Sequence, residues 1–115
     1  MADGINRVTL LGNLRADPEL RATSKTSQSV CNFIVVTNTS HGKSSKRHDV
    51  SEGHSIVAWG RLAELCAEHI QSGSKVYVEG YLHTKKWEDK RGQDRTTTEI
   101  IAKTVIFLDR RENAC

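Results

Sequence analysis

The chain has 115 residues, 37% of them hydrophobic and 5% aromatic, a length that suits one domain with a modest, mainly aliphatic core and excludes two independent ones. The formal net charge of +3 favours an acidic partner, although only the distribution of the charge can establish one. Apolar runs of a few residues exclude a helical membrane span, and three cysteines without C-x-x-C spacing, Cys31, Cys66 and Cys115, lead to the expectation of a reducing, cytosolic setting.

In chain order, Ile5 to Leu14 (INRVTLLGNL) predicts a strand with Val8, Leu10 and Leu14 on one face, Leu11 breaking the alternation. Gly12 inside it predicts a bulge or a close backbone approach, as where a strand curls to close a small barrel. Asp17-Pro18 interrupts the ladder because proline has no N–H to donate, and Ala22 to Ser29 predicts a loop. Val30 to Asn38 (VCNFIVVTN) predicts a second strand covered on both faces. Thr39 to Ser55 contains Gly42, Gly53 and five serines, with Lys43, Lys46 and Arg47 clustered. It predicts a solvated basic loop, a flap able to close over an anionic strand.

Ile56 to Gly60 predicts a short third strand and Arg61 to Ser72 a helix. Leu62, Leu65, Cys66 and Ile70 form one apolar stripe on that helix, and Gly73 is the expected left-handed stop. Two strands follow, Lys75 to Trp87 and Arg95 to Leu108, joined by a charged turn carrying Gly92. The fold class is therefore all-β with one helix, in the order β-β-β-α-β-β. That is the order of the five-stranded oligonucleotide-binding (OB-fold) Greek-key barrel, with the helix plugging one end.

The stretch Lys75 to Glu99 carries the chemistry. Along the fourth strand Val76, Val78, Gly80 and Leu82 share one face, and Tyr77, Tyr81, His83, Lys85 and Trp87 the other. The outer end is tipped with Lys85, Lys86, Trp87, Lys90, Arg91 and Arg95. Cations beside an aromatic face are what a single-stranded nucleic acid requires, since its phosphates need positive charge and its unpaired bases a flat surface to stack on. Five histidines, including His41, His48 and His54 near Asp49 and Glu52, match no zinc-ligand spacing, so no metal and no cofactor are expected. Cys66 falls on the apolar stripe, where a thiol is inert, and no paired carboxylates stand at metal-binding spacing; the chain is not expected to be an enzyme.

Beyond this reading, the chain resembles the bacterial-type single-stranded DNA-binding protein family over nearly its whole length. The resemblance is carried by Asn6-Arg7-Val8 leading into Gly12-Asn13-Leu14, Asp17-Pro18-Glu19 with Arg21, and Trp59-Gly60-Arg61-Leu62-Ala63-Glu64. Gly73-Ser74-Lys75-Val76-Tyr77-Val78-Glu79-Gly80, Lys86-Trp87, Gly92-Gln93-Asp94-Arg95 and Thr97-Thr98-Glu99 complete it. It implies a homotetramer, built from dimers, that wraps single-stranded DNA without sequence preference during replication, repair and recombination, in a bacterial cytoplasm at the nucleoid. It implies four aromatic stacking positions: Trp87 matches directly, Trp59 replaces a phenylalanine, and His41 and Gly53 stand where the family commonly has tryptophan. His41 can still stack and Gly53 cannot.

The expected electrostatic set is Lys43, Lys46, Arg47, Lys85, Lys86, Lys90, Arg91 and Arg95, extended by Arg21 and Lys75. With one stacking platform missing, worth about 1 to 3 kcal/mol per base, the chain is expected to lean on charge. His54 matches a family position at a subunit interface, and Tyr77 and Tyr81 are placed with it. The expected domain is 1–108, followed by a short extension, 109–115. Family members typically continue into a flexible linker with an acidic tip; no such tip follows Asp109 here, so tail-mediated protein partners are not expected. The rival reading is a partner-recruiting barrel of the primosomal kind in replication restart, for which a dimeric mass and a protein partner would speak.

Overall fold

The computed structural model describes residues 3–23, 27–43 and 46–108; the expected extension 109–115, with Cys115, lies outside them. Among the described residues the elements are β1 (Val8–Leu14), β2 (Glu19–Ala22), β3 (Ser29–His41), β4 (His48–Trp59), α1 (Gly60–His69), β5 (Lys75–Glu88) and β6 (Asp94–Phe107). The sheet runs β1-β5-β6-β4-β3-β2, and a further β1–β3 pairing joins its ends. Five strands thereby close into a barrel, and β2 is added on the edge of β3.

Closure depends on β1. Its residues Val8 to Asn13 pair with β5, and Asn13 and Leu14 pair with Val36 and Val35 of β3. A strand shared between two partners must bend sharply, and Gly12 stands at the bend. A Cβ there would run into the Val36 carbonyl oxygen and touch Val35, so the expected close backbone approach is met. Gly80 plays the matching role on β5, where a Cβ would strike the Ile101 carbonyl oxygen. Beside it the register shifts: Glu79 faces Thr104 and Gly80 faces Ala102, leaving Lys103 as the bulged residue of β6.

Inside the barrel lie Leu14, Cys31, Phe33, Val35, Ile56, Ala58, Val76, Val78, Ile100 and Ala102, with Ala63, Cys66 and Ile70 from α1 covering one end. Alternation explains the selection: the odd residues of β3 and the even residues of β5 point inward. Burial pushes the Cys66 thiol up to about 12, with the neighbouring Cys31 adding to the effect, and burial raises Cys31 as well.

Four sequence expectations need correction. β2 falls on Glu19-Leu20-Arg21-Ala22, all exposed, a segment without apolar alternation that is a strand only because β3 offers it an edge at Ser29 to Asn32. The basic loop expected over 39–55 is mostly strand: β3 and β4 pair continuously from Val30–Trp59 out to His41–His48. Cross-strand side-chain bonds replace hydrophobic pattern there, Ser40 to Asp49 at 2.7 Å, Thr37 with His54 at 3.0 Å and Ser51 to Asn38. The helix ends at His69 rather than Ser72, with Ile70 extended, and Gly73 (φ 89°) serves the following turn, whose N–H bonds the Leu14 carbonyl at 2.9 Å. Leu82 lies on the predicted apolar face of β5 but is exposed, because β5 has left the barrel by that point.

Replacing Gly12 with valine is expected to destabilise the fold by about 1 to 3 kcal/mol or more through overpacking against β3, read as a lower urea midpoint. Cys31 and Cys66 are expected to resist alkylation at pH 8 in the folded protein and to react on unfolding, as peptide mass mapping would show.

Candidate nucleic-acid interface

Two surfaces carry the predicted residues. The first is the outer face of β2, β3 and β4. Since Ile56 and Ala58 fill the barrel, Gly53, Ser55, Val57 and Trp59 point outward on β4, opposite Val36, Ile34, Asn32 and Val30 of β3. Trp59 is 41% exposed, set in extended backbone (φ −121°, ψ 153°) immediately before α1. Gly53 lies six residues away on the same face, about 20 Å along the strand. Between them Arg21 of β2 donates from Nη2 to Asn32 Oδ1 at 3.3 Å, so this predicted cation is anchored on the same face. Arg15 follows β1, is absent from the predicted set, and has its guanidinium against Gly53.

Beyond the barrel the β3–β4 hairpin continues as an arm. Lys43, Lys46 and Arg47 are exposed around its turn, with Arg47 donating to Ser40 Oγ at 3.4 Å. His41 stands at its end, bonded through Nε2 to Thr39 Oγ1 at 3.1 Å and 6.1 Å from the His48 ring. By strand alternation His41 and Gly53 occupy opposite faces of this arm, so the fold does not bring these two positions together. His54, half-buried, bonds Thr37 across the strands.

The second surface is the β5–β6 arm. Trp87 is 47% exposed, and its indole Nε1 donates to Thr97 Oγ1 at 2.9 Å, which fixes the ring across the arm while leaving it open to solvent. Lys85 pairs with Thr97 and Trp87 with Arg95, so Lys85, Trp87 and Arg95 share one face and Lys86 takes the other. Asp89 organises the tip: its carboxylate accepts from the Arg91 and Gln93 N–H groups, both at 2.9 Å, and from Arg95 Nε at 3.0 Å. Gly92 closes the turn with φ 80°. Arg95 is therefore partly neutralised, whereas Lys85, Lys86, Lys90 and Arg91 form no ion pair among the described residues.

The fold separates the remaining candidates from these surfaces. Lys75 begins β5, twelve residues and about 40 Å along the strand from Trp87. Tyr77 and Tyr81 lie on the outer face of the β1–β5–β6 sheet, Tyr77 donating to Glu79 Oε2 at 2.6 Å and Tyr81 carrying Lys103 Nζ 5.6 Å above its ring. Their row is apolar: Leu11, Tyr77 and Ile106 are cross-strand neighbours, with Leu11 and Ile106 about half exposed.

The sequence model of the single-strand binding protein family matches residues 5–108. The chain belongs to this family. It is 40% identical over 115 residues to Single-stranded DNA-binding protein 1 of Chlorobaculum tepidum, an alignment covering 98% of this chain and 70% of that protein. Its backbone is similar to the Plasmodium falciparum SSB in complex with ssDNA, with a TM-score of 0.85 and 27% identity, covering 95% of this chain and 99% of that one. The single-strand binding family and its barrel are thus shown together by sequence and structure, and the OB-fold expected from element order is met.

Within this family member the Asp89 tip gives a pH prediction. The Gln93 N–H first, and then the Arg95 guanidinium, hold the Asp89 carboxyl below its ordinary 3.8. A depressed carboxyl stabilises the tip above its ordinary titration range and loses that contribution as pH falls through its own lower pKa. Carbon-detected NMR is expected to place the Asp89 midpoint below 3.8, with the Arg91 and Gln93 amides protected unchanged from pH 7 to about 5.

Proposed function

We propose that the chain binds single-stranded DNA without sequence preference, serving replication, repair and recombination as a binding protein and not as an enzyme. The observation that carries this reading is Trp87, an indole locked by Thr97 yet half open to solvent, beside lysines that form no ion pair among the described residues. Bases stack on Trp87 and Trp59, each worth about 1 to 3 kcal/mol by truncation. Lys85, Lys86, Lys90 and Arg91 on one arm, and Lys43 and Lys46 on the other, take the phosphates; Arg95, Arg21 and Arg47 contribute less, because each already holds a partner. His41 adds a smaller aromatic face at the end of the β3–β4 arm. Residues 1–108 form the binding domain. The similarity to the Plasmodium falciparum SSB in complex with ssDNA supports the reading.

Assembly belongs to the same proposal. The exposed row Leu11–Tyr77–Ile106 forms an apolar strip on a sheet face, the kind of surface that proteins cover with a second copy. We assign it, with His54, to subunit contacts in a homotetramer of paired barrels.

Titration of oligo(dT) followed by tryptophan fluorescence tests the binding. Trp87→Ala is expected to weaken affinity about fivefold to a hundredfold, and log affinity to fall with log salt by about 0.7 per phosphate contacted. Binding that is independent of salt and of both tryptophans would refute the proposal. Light scattering is expected to give four chains per particle, and Ile106→Glu to reduce that number.

A further inference from the structure

Gly53 leaves a bare patch on the outer sheet face that also bears Trp59, and the structure fills the patch from another part of the chain. A Cβ at position 53 would collide with Arg15 Nη2, and would lie 3.2 Å from Arg15 Cζ and 3.2 Å from Ile34 Cγ2. The Arg15 guanidinium thus lies where a side chain at residue 53 would begin, beside the Ile34 methyl. Its backbone is fixed there: the Arg15 N–H donates to the Ile34 carbonyl at 3.0 Å, and the Arg15 carbonyl accepts from Ser72 Oγ at 3.4 Å.

The guanidinium itself has no hydrogen bond or ion pair among the described residues, although two carboxylates line the same groove of about 350 Å³, Asp17 and Glu19. Asp17 is engaged elsewhere, its Oδ1 accepting the Ser72 N–H at 2.8 Å. Glu19 pairs through its backbone with Asn32 on β3 and leaves Arg15 alone. An unpaired cation held over a glycine, beside the Ile34 methyl, combines a flat face with a positive charge. Guanidinium planes stack on unpaired bases and bond phosphates.

We infer that Arg15 is the DNA-contacting side chain at the position Gly53 leaves empty, supplying from the β1–β2 connection the platform that residue 53 does not. This deepens the proposed single-strand binding and rests on it. Gly53 is then a requirement for the arrangement, since any larger residue would displace the guanidinium. Arg15 extends the track on this face from Trp59 past Arg21 toward the β3–β4 arm.

The test is oligo(dT) titration at several salt concentrations with Arg15→Ala, Arg15→Lys and the double variant Arg15→Ala/Gly53→Trp, alongside Trp87→Ala. Arg15→Ala is expected to weaken binding about tenfold and to make the log-log salt slope shallower by about 0.7. Arg15→Lys should keep the slope while losing part of the affinity, because an ammonium carries the charge without the planar face. The double variant should recover affinity by stacking and keep the shallower slope. Thermal melts and particle mass for Arg15→Ala should match the parent, since the guanidinium makes no hydrogen bond or ion pair among the described residues. If Trp87→Ala weakens binding while Arg15→Ala leaves affinity and slope unchanged, the role given to Arg15 is wrong and the single-strand reading stands. If neither change has an effect, the single-strand reading itself fails.

Discussion

The structure depends on one strand serving two neighbours. Asn13 pairs with Lys75 on β5 and also with Val36 on β3, and this double use turns an open sheet into a barrel. The bend needs a residue without a side chain, because the Val36 carbonyl oxygen occupies the place of a Cβ at position 12. Closure buries Val35, Val76, Val78 and Ile56 completely. It also leaves two long hairpins, β3–β4 and β5–β6, whose outer halves have no core beneath them. Those free halves carry eight of the seventeen lysines and arginines and one of the two exposed tryptophans.

The arms hold their shape by means other than packing. In the β3–β4 arm, hydroxyl, amide, carboxylate and imidazole groups bond across the strands at Ser40–Asp49, Asn38–Ser51 and Thr37–His54. In the β5–β6 arm, Thr97 holds the Trp87 ring and Asp89 gathers two backbone amides and a guanidinium. Such bonds are individually worth about 1 kcal/mol, enough to order an exposed ladder and weak enough to let it adapt to a flexible polyanion. The same bonds sort the cations: Arg95, partnered inside the arm, shapes it, whereas Lys85 and Lys86 are exposed and form no ion pair among the described residues.

Position 53 illustrates how a surface can be supplied from a distance. A glycine in a strand normally weakens it, since it has no side chain to pack against its neighbours. Here it makes room for Arg15, thirty-eight residues earlier in the chain, and the face keeps a planar cationic group between Trp59 and the arm. Local sequence around Gly53 contains no sign of this, because the contact is made by the fold closing β1 against β3.

Much of the architecture was legible in the sequence because apolar periodicity and glycine position are local signals. VCNFIVVTN and KVYVEGYL alternate or stay apolar where they line the barrel, the Leu62–Ile70 stripe marks the helix, and Gly12 marks the bend. Trp87 could be read as exposed from its charged neighbours alone. Tertiary structure alone decided whatever lacks such a signal: that Glu19–Ala22 is a strand because an edge was available, and that His48–Ser55 is a strand because polar residues found partners across the hairpin. It also decided that His41 and Gly53 face opposite ways, that Arg95 is held by Asp89, and that Arg15 lies over Gly53. In each of these the deciding partner is distant in the chain or lies across a register, and pairing register, unlike hydrophobic period, is set only when the sheet closes.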